Sequence, residues 1–292
     1  MIEPFVDAGW VRERRGEVVL ADCRWYMDGR SGREAYDGGH ISDAVFVDLD
    51  AALVRRADPA EAGRHPLAEP EDFAAAMGAL GIGDDDTVVA YDDAGGVIAA
   101  RLVWMLRVTD HEAALLDGGI QAWEGELETA PASRPATSFT ASEWPVARLA
   151  SIDEVAVWSA TAAPSGESTS PATQARSAAP ILIDGRQRER YLGEADAVDP
   201  RAGHIPGALA VPCRENLDAD GRLLTADRLR ANFPFDDDAE VVSYCGSGVT
   251  ACHNLLAMEQ IGLRNGRLFP GSWSQWSRDP ARPAEIDAVS TP

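Results

Sequence analysis

Lysine is missing from this sequence altogether, so every one of its 26 basic residues is an arginine. That absence excludes a lysine Schiff base, pyridoxal phosphate anchored on lysine, and a Walker-type phosphate loop. Any anion the protein binds must therefore be held by arginine, backbone N–H groups or helix ends. Cysteine is nearly as scarce. Cys23, Cys213, Cys245 and Cys252 are too few and too scattered to staple a chain of 292 residues, and none lies in a CxxC pair that could hold zinc. They read as free thiols, with no metal expected. Long apolar runs are missing too: no stretch approaches the roughly 20 residues that a bilayer span requires. The opening "MIEPFVDAGWVRERRGEVVL" carries acids early and has no uninterrupted apolar core. The expectation is a cytoplasmic protein. Basic charge is outweighed throughout, and a net charge of -22 repels phosphate backbones and anionic lipid, so neither nucleic acid nor membrane is an expected partner.

What the sequence does contain is a repeat. "VVAYDDAGG" from Val88 falls on "VVSYCGSGV" from Val241, and at the same offset Gly118 falls on Gly271 and Trp123 on Trp276. Upstream, "ADCRW" at Ala21 resembles "IDGRQ" at Ile183, and "GGHISDA" at Gly38 resembles "AGHIPGA" at Ala202, with the offset changed by loops of different length. Order, spacing and residue type agree together, so the chain reads as a tandem duplication. In each copy, short apolar runs such as "TVVAY" (87–91), "AALL" (113–116), "ILID" (181–184) and "EVVSY" (240–244) alternate with helical patterns, among them "PEDFAAAMGALGI" (70–82) and "TADRLRANF" (225–233). Apolar strands alternating with helices predict an α/β fold: two doubly wound domains, each with a central parallel sheet. "ETAPASRPATSFTASEWP" (128–145) has the composition of a connecting segment. A second run rich in Pro, Ser and Ala (159–180) reads as an exposed, mobile loop without a catalytic role.

Where the first copy has Tyr91-Asp92-Asp93, the second has Tyr244-Cys245-Gly246-Ser247-Gly248-Val249-Thr250-Ala251, set between a strand and a helix expected from about Val249 to Ile261. A free cysteine after a strand is most often a small buried apolar residue. Two glycines within four residues argue otherwise, because left-handed backbone can turn several N–H groups inward and make an anion nest, to which the next helix adds its positive end. Such a cradle favours thiolate over thiol, below the reference pKa of about 8.5, and suits a persulfide equally. The expectation is an ionised sulfur exposed at the mouth of a ring of amides, on the carboxyl end of a strand where α/β sheets bind ligands. Cys252, Cys23 and Cys213 read as core.

"CGSGVTA", "GHIPGA", "IDGR…RY", "DGGIQAW" and "GSWSQW" together resemble the rhodanese superfamily in its tandem-domain form, over nearly the whole chain. The resemblance implies a catalytically inactive rhodanese-like domain over 1–129, with Asp92 at the cysteine position, a linker over 130–149, and an active domain over 150–292 whose six-residue loop, 245–250, begins at Cys245. It implies sulfurtransferase activity without a cofactor: Cys245 takes a sulfane sulfur as a persulfide and hands it to a thiol, thioredoxin or cyanide. The loop residues Gly246, Ser247, Gly248, Val249 and Thr250 are the expected substrate cradle. Thiosulfate enzymes of the superfamily place basic residues after the cysteine; the neutral Gly246-Ser247 pair resembles the 3-mercaptopyruvate enzymes, with thiosulfate as the alternative donor. The resemblance also carries over Arg190, in "RERY", as partner of the donor carboxylate, and Arg201 as a weaker second match. Arg186 reads as the ion-pair partner of Asp184. Family models assign a proton relay to the loop serine with a histidine and an aspartate from the first domain; Ser247 and His40 match in type, but no aspartate matches and "HISDA" departs from the family's "HIPGA", so His40, like His204, reads as a turn histidine satisfied by backbone. A dual-specificity phosphatase is excluded, since Cys-x5-Arg counted from Cys245 lands on Ala251. A noncatalytic sulfur-sensing or binding module remains as the other alternative. A monomer is expected.

Overall fold

A computed structural model describes residues 1–161, 180–194 and 198–286. The chain forms two compact units, neither of which is one continuous stretch. The first comprises Met1–Arg55, Leu67–Pro145 and Leu217–Leu224; the second comprises Arg56–Pro66, Val146–Asn216 and Thr225–Pro292. This differs from the contiguous division read from the sequence, because two short segments each belong with the other half of the chain. Most of the Pro/Ser/Ala-rich run over 159–180 lies outside the described residues.

The first unit is built on a parallel sheet of β1 (Phe5–Val6), β2 (Val18–Asp22), β4 (Val45–Phe46), β5 (Thr87–Tyr91) and β6 (Ala113–Leu116), in the order β1-β6-β5-β2-β4; β3 (His40–Ile41) pairs antiparallel with β7 (Leu127–Glu128) apart from it. The second carries β8 (Ile181–Asp184), β9 (Leu209–Ala210), β10 (Val241–Tyr244) and β11 (Gly266–Leu268), in the order β11-β10-β8-β9, again all parallel. Strands covered on both faces read as unbroken apolar runs, which is why "TVVAY", "AALL" and "ILID" were legible. The helices Pro70–Ala79 and Ala226–Asn232 fall where expected.

The duplication extends to single hydrogen bonds. Arg24 pairs with Asp22 and donates to Gly39 O, as Arg186 pairs with Asp184 and donates to Gly203 O. Tyr36 and His40 stack at 3.7 Å and 9°, as do Tyr191 and His204. His40 Nδ1 lies 2.8 Å from Tyr36 O and His204 Nδ1 2.9 Å from Tyr191 O, so backbone meets one ring nitrogen of each histidine as expected. Nε2 lies 3.7 Å from the carboxylate of Glu128 in His40 and of Glu285 in His204, and His40 stands in β3 rather than in a turn. The hydroxyls of Tyr91 and Tyr244 accept from Ile41 N and Ile205 N.

One core group of the second unit has a consequence for acid stability. His253, on the helix Ala251–Gln260, is fully buried, and that burial pushes it down to about 3, with Arg214 adding to the effect. A histidine in the unfolded chain titrates near ~6.5, so below that pH the unfolded state takes up a proton that the folded state refuses. The contribution is complete above pH ~6.5 and erodes as the pH falls towards 3, by about 2 kcal/mol at pH 5. Urea unfolding of the wild type and His253→Gln at pH 7, 6 and 5 tests this. The variant is expected to lose the extra slope below pH 6.5; identical slopes would refute the assignment.

Candidate active site

β10 runs between β11 and β8, so the chain leaving Tyr244 emerges at the carboxyl edge of the sheet beside the ends of both neighbours. In open α/β sheets that edge is where ligands bind. Gly185 N donates to Tyr244 O, closing the β8 side. On the β11 side the helix Ser272–Trp276 supplies three bonds: Ser272 Oγ accepts from Cys245 N at 3.1 Å, Trp273 N donates to Cys245 O at 3.0 Å, and Ser274 N donates to Gly246 O at 2.8 Å. With its outer backbone groups tied down, the loop is preorganised before any ligand arrives.

Within it, Gly248 N donates to Cys245 Sγ at 3.2 Å. Gly248 has φ +77°, and a Cβ there would lie 2.6 Å from Pro270 O, so glycine is required on both counts. Gly246 differs from the expectation: its backbone is not left-handed, and what it needs is room. A Cβ on Gly246 would lie 3.0 Å from Arg64 Nη2 and 3.4 Å from Arg190 Nη1. Its missing side chain is what lets two guanidiniums close on the loop. The helix begins at Ala251 rather than Val249, leaving Val249 and Thr250 in the turn. Cys245 is also less open than expected, at 2% exposed, with the loop folded back so that Gly248 N meets its sulfur.

The other thiols lie in the core, as expected. Burial pushes Cys213 up to about 12, with the charge of Cys245 adding to it, and pushes Cys23 well above the usual thiol range. Cys252 Sγ donates to Gly248 O at 3.3 Å, bracing the loop from the helix side.

Two side chains at the loop come from a segment that sequence reasoning left aside. Asp58 caps the short helix Pro59–Ala62, which ends at Gly63 with φ +82°; a Cβ there would lie 2.5 Å from Gly271 O. Arg64 N donates to Ser274 Oγ at 3.0 Å, and Glu61 O accepts from Gln275 Nε2, so the segment is clasped to the same helix that holds the loop. The next residues are thereby delivered to the site. His65 Nδ1 lies 2.7 Å from Ser247 Oγ, and Arg64 faces Gly246. Asp199, buried, joins the two cations: one carboxylate oxygen accepts from Arg64 Nη1 and the other from Arg190 Nη2 at 2.7 Å.

The structure thus brings together Cys245, Gly246, Ser247, Gly248 and Arg190 from the sequence-based set. Arg201 is a correction. Its guanidinium donates to the carbonyls of Trp276, Ser277, Asp279 and Arg282 at 2.8–3.1 Å, so it fastens the backbone after the helix Ser272–Trp276, with its donors spent on that task. Arg64, His65 and Asp199 were missed. The usable signal was arithmetic: a loop serine in need of a histidine had only five in the chain to choose from.

In the first unit the equivalent position is filled differently. The Asp92 carboxylate accepts from Ala94 N and Gly96 N on one oxygen and from Ile98 N and Ala99 N on the other, at 2.7–2.9 Å. Burial pushes Asp92 up, against the four amides that pull it down. Among the described residues no helix is long and apolar enough to cross a membrane.

Comparison with known proteins agrees with this geometry. The model of the rhodanese-like domain matches twice, over residues 7–126 and 171–279. A probable 3-mercaptopyruvate sulfurtransferase of Pseudomonas aeruginosa is 37% identical, over 91% of this chain and 92% of its own length. A putative thiosulfate sulfurtransferase of Mycobacterium tuberculosis is 36% identical, over 91% and 90%. The crystal structure of the 3-mercaptopyruvate sulfotransferase of Escherichia coli superposes with a TM-score of 0.76 at 31% identity, covering 93% of this chain and 99% of that one. With two matched copies, the same fold and a cysteine loop on the second sheet, the chain belongs to the rhodanese-like family and is a sulfurtransferase.

Proposed function

We propose that the second unit carries sulfur from 3-mercaptopyruvate through a persulfide on Cys245, while the first unit, with Asp92 in the equivalent place, carries none. The supporting observation is the pairing of a Gly248 amide on Cys245 Sγ with two guanidiniums beside Gly246. In this reading the donor carboxylate lies against Arg190 and Arg64, and the Cys245 thiolate attacks the donor sulfur. A sulfur–sulfur bond forms, the carbon–sulfur bond breaks, and its electron pair goes to the enolate of pyruvate. That enolate takes up the proton of the donor thiol, for which the Ser247–His65 pair is a route. The persulfide anion stays in the amide cradle, an interaction of the kind where one lost donor costs ~3 kcal/mol. A thiol, thioredoxin or cyanide then removes the outer sulfur and restores the thiolate, in a ping-pong cycle. The enzyme acts in the cytoplasm, as a monomer.

With thiosulfate the same attack breaks the sulfur–sulfur bond and releases sulfite. The neutral Gly246-Ser247 pair favours mercaptopyruvate; the Mycobacterium relative's name keeps thiosulfate as the second reading. Cyanide-dependent thiocyanate formation from each donor, alongside mass spectrometry of the peptide bearing Cys245, tests both. Mercaptopyruvate is expected to give the higher kcat/KM and a gain of one sulfur, ~32 Da, on that peptide. Thiosulfate ahead by tenfold or more would reverse the donor assignment, and no mass gain with either would end the persulfide reading.

A further inference from the structure

Two arginines and one buried aspartate stand at the loop, and their charges do not act alike on the two donors. Arg64 and Arg190 both approach Gly246, and Asp199 places one oxygen on each of them. Its side chain is wholly buried, while those of Arg190 and Arg64 keep 16% and 20% of their surface. The carboxylate is therefore behind the cations, and a donor meets the guanidiniums first. Orienting them is one effect of Asp199. The other is to cancel one unit of positive charge in a place where low dielectric makes a unit charge felt over several ångströms.

We propose that Asp199 is a specificity-determining residue: by lowering the positive potential at the loop it favours a monoanionic carboxylate donor over a dianionic one. The inference rests on the donor site proposed above. Coulomb energy scales with the donor's charge, so a change of one unit at this cluster acts on a dianion such as thiosulfate about twice as strongly as on a monoanion such as mercaptopyruvate. Elsewhere the protein is strongly acidic, so the local balance of these three side chains governs how each donor is received.

The experiment is a single-turnover measurement of Cys245 persulfidation, followed as the ~32 Da gain, with mercaptopyruvate and with thiosulfate, in wild type, Asp199→Asn, Asp199→Glu and Arg64→Gln. Asp199→Asn is expected to move the ratio of rate constants at least about tenfold towards thiosulfate, with the shift shrinking as salt is raised. Asp199→Glu restores the charge and should keep the wild-type ratio to within about threefold. Arg64→Gln removes a positive charge and should move the ratio the opposite way. A merely structural role would lower both donors together, or move the ratio in one direction in both Asp199→Asn and Arg64→Gln; either result overturns the proposal. Should Asp199→Asn fail to fold, Arg64→Gln and the salt dependence of the wild-type ratio decide: a ratio that neither changes overturns it as well. Failure of the underlying reading is recognised separately, by a wild type that gains no sulfur on Cys245 from either donor.

Discussion

Replacing Cys245 with serine will abolish sulfur transfer from either donor, lowering thiocyanate formation by at least about a thousandfold while leaving the fold in place. Serine preserves the shape of the side chain and can still accept the Gly248 amide that now meets Sγ. The bonds that hold the loop, from Trp273 N to Cys245 O and from Ser274 N to Gly246 O, are made by backbone and do not depend on the sulfur. What a hydroxyl cannot do is accept a sulfane sulfur as a stable anion and return it to a thiol. The other three thiols do not rescue it: burial pushes Cys213 up to about 12 and Cys23 well above the usual thiol range, and Cys252 Sγ donates to Gly248 O on the helix side of the loop. The loss should therefore appear in kcat with little change in thermal midpoint, and no peptide should gain ~32 Da. Residual turnover above about a tenth of wild type would move the chemistry to another residue.

The strands and the repeat were legible because their signal is local. Apolar runs of four or five residues mark strands buried on both faces, and the constant offset between Val88, Gly118 and Trp123 and their partners marks one unit used twice. The place of the Cys245 loop between strand and helix was legible for the same reason, since its glycines are neighbours in sequence. The second half of the site was not. His65 meets Ser247 across 182 positions and Arg64 meets Asp199 across 135, and no periodicity encodes a contact of that separation. Arg201 misled because sequence adjacency to "GHIPGA" fixes where its backbone runs and says nothing of where its guanidinium is spent. Gly246 was read for its dihedral freedom, whereas its role is to yield space to Arg64, a reason visible only once both are in place.

Asp92→Asn carries the largest expected stability effect, and its logic reaches back to the active loop. The carboxylate offers two acceptor oxygens to four backbone N–H groups, two on each. An asparagine of the same size keeps one oxygen and turns an NH2 towards the other pair of donors, leaving one buried and one partly buried N–H without an acceptor and facing a like dipole. At ~1–3 kcal/mol for a buried group left unsatisfied and less for one that water can reach, the first unit should lose roughly 2–4 kcal/mol. For a unit of this size that corresponds to a fall in melting temperature of about 10 °C. Calorimetry of the wild type and Asp92→Asn would measure it; a shift within about 1 °C would mean the four bonds contribute nothing net. The same comparison says what the fold does with this turn. In the first unit four amides on the carboxyl end of a central strand are taken up by a carboxyl group that is part of the chain. In the second the chain places the sulfur of Cys245 at that position and changes the turn around it as well, Gly246 and Ser247 standing where the first unit has Asp93 and Ala94; in the proposed cycle that sulfur is the group that holds negative charge and exchanges an atom.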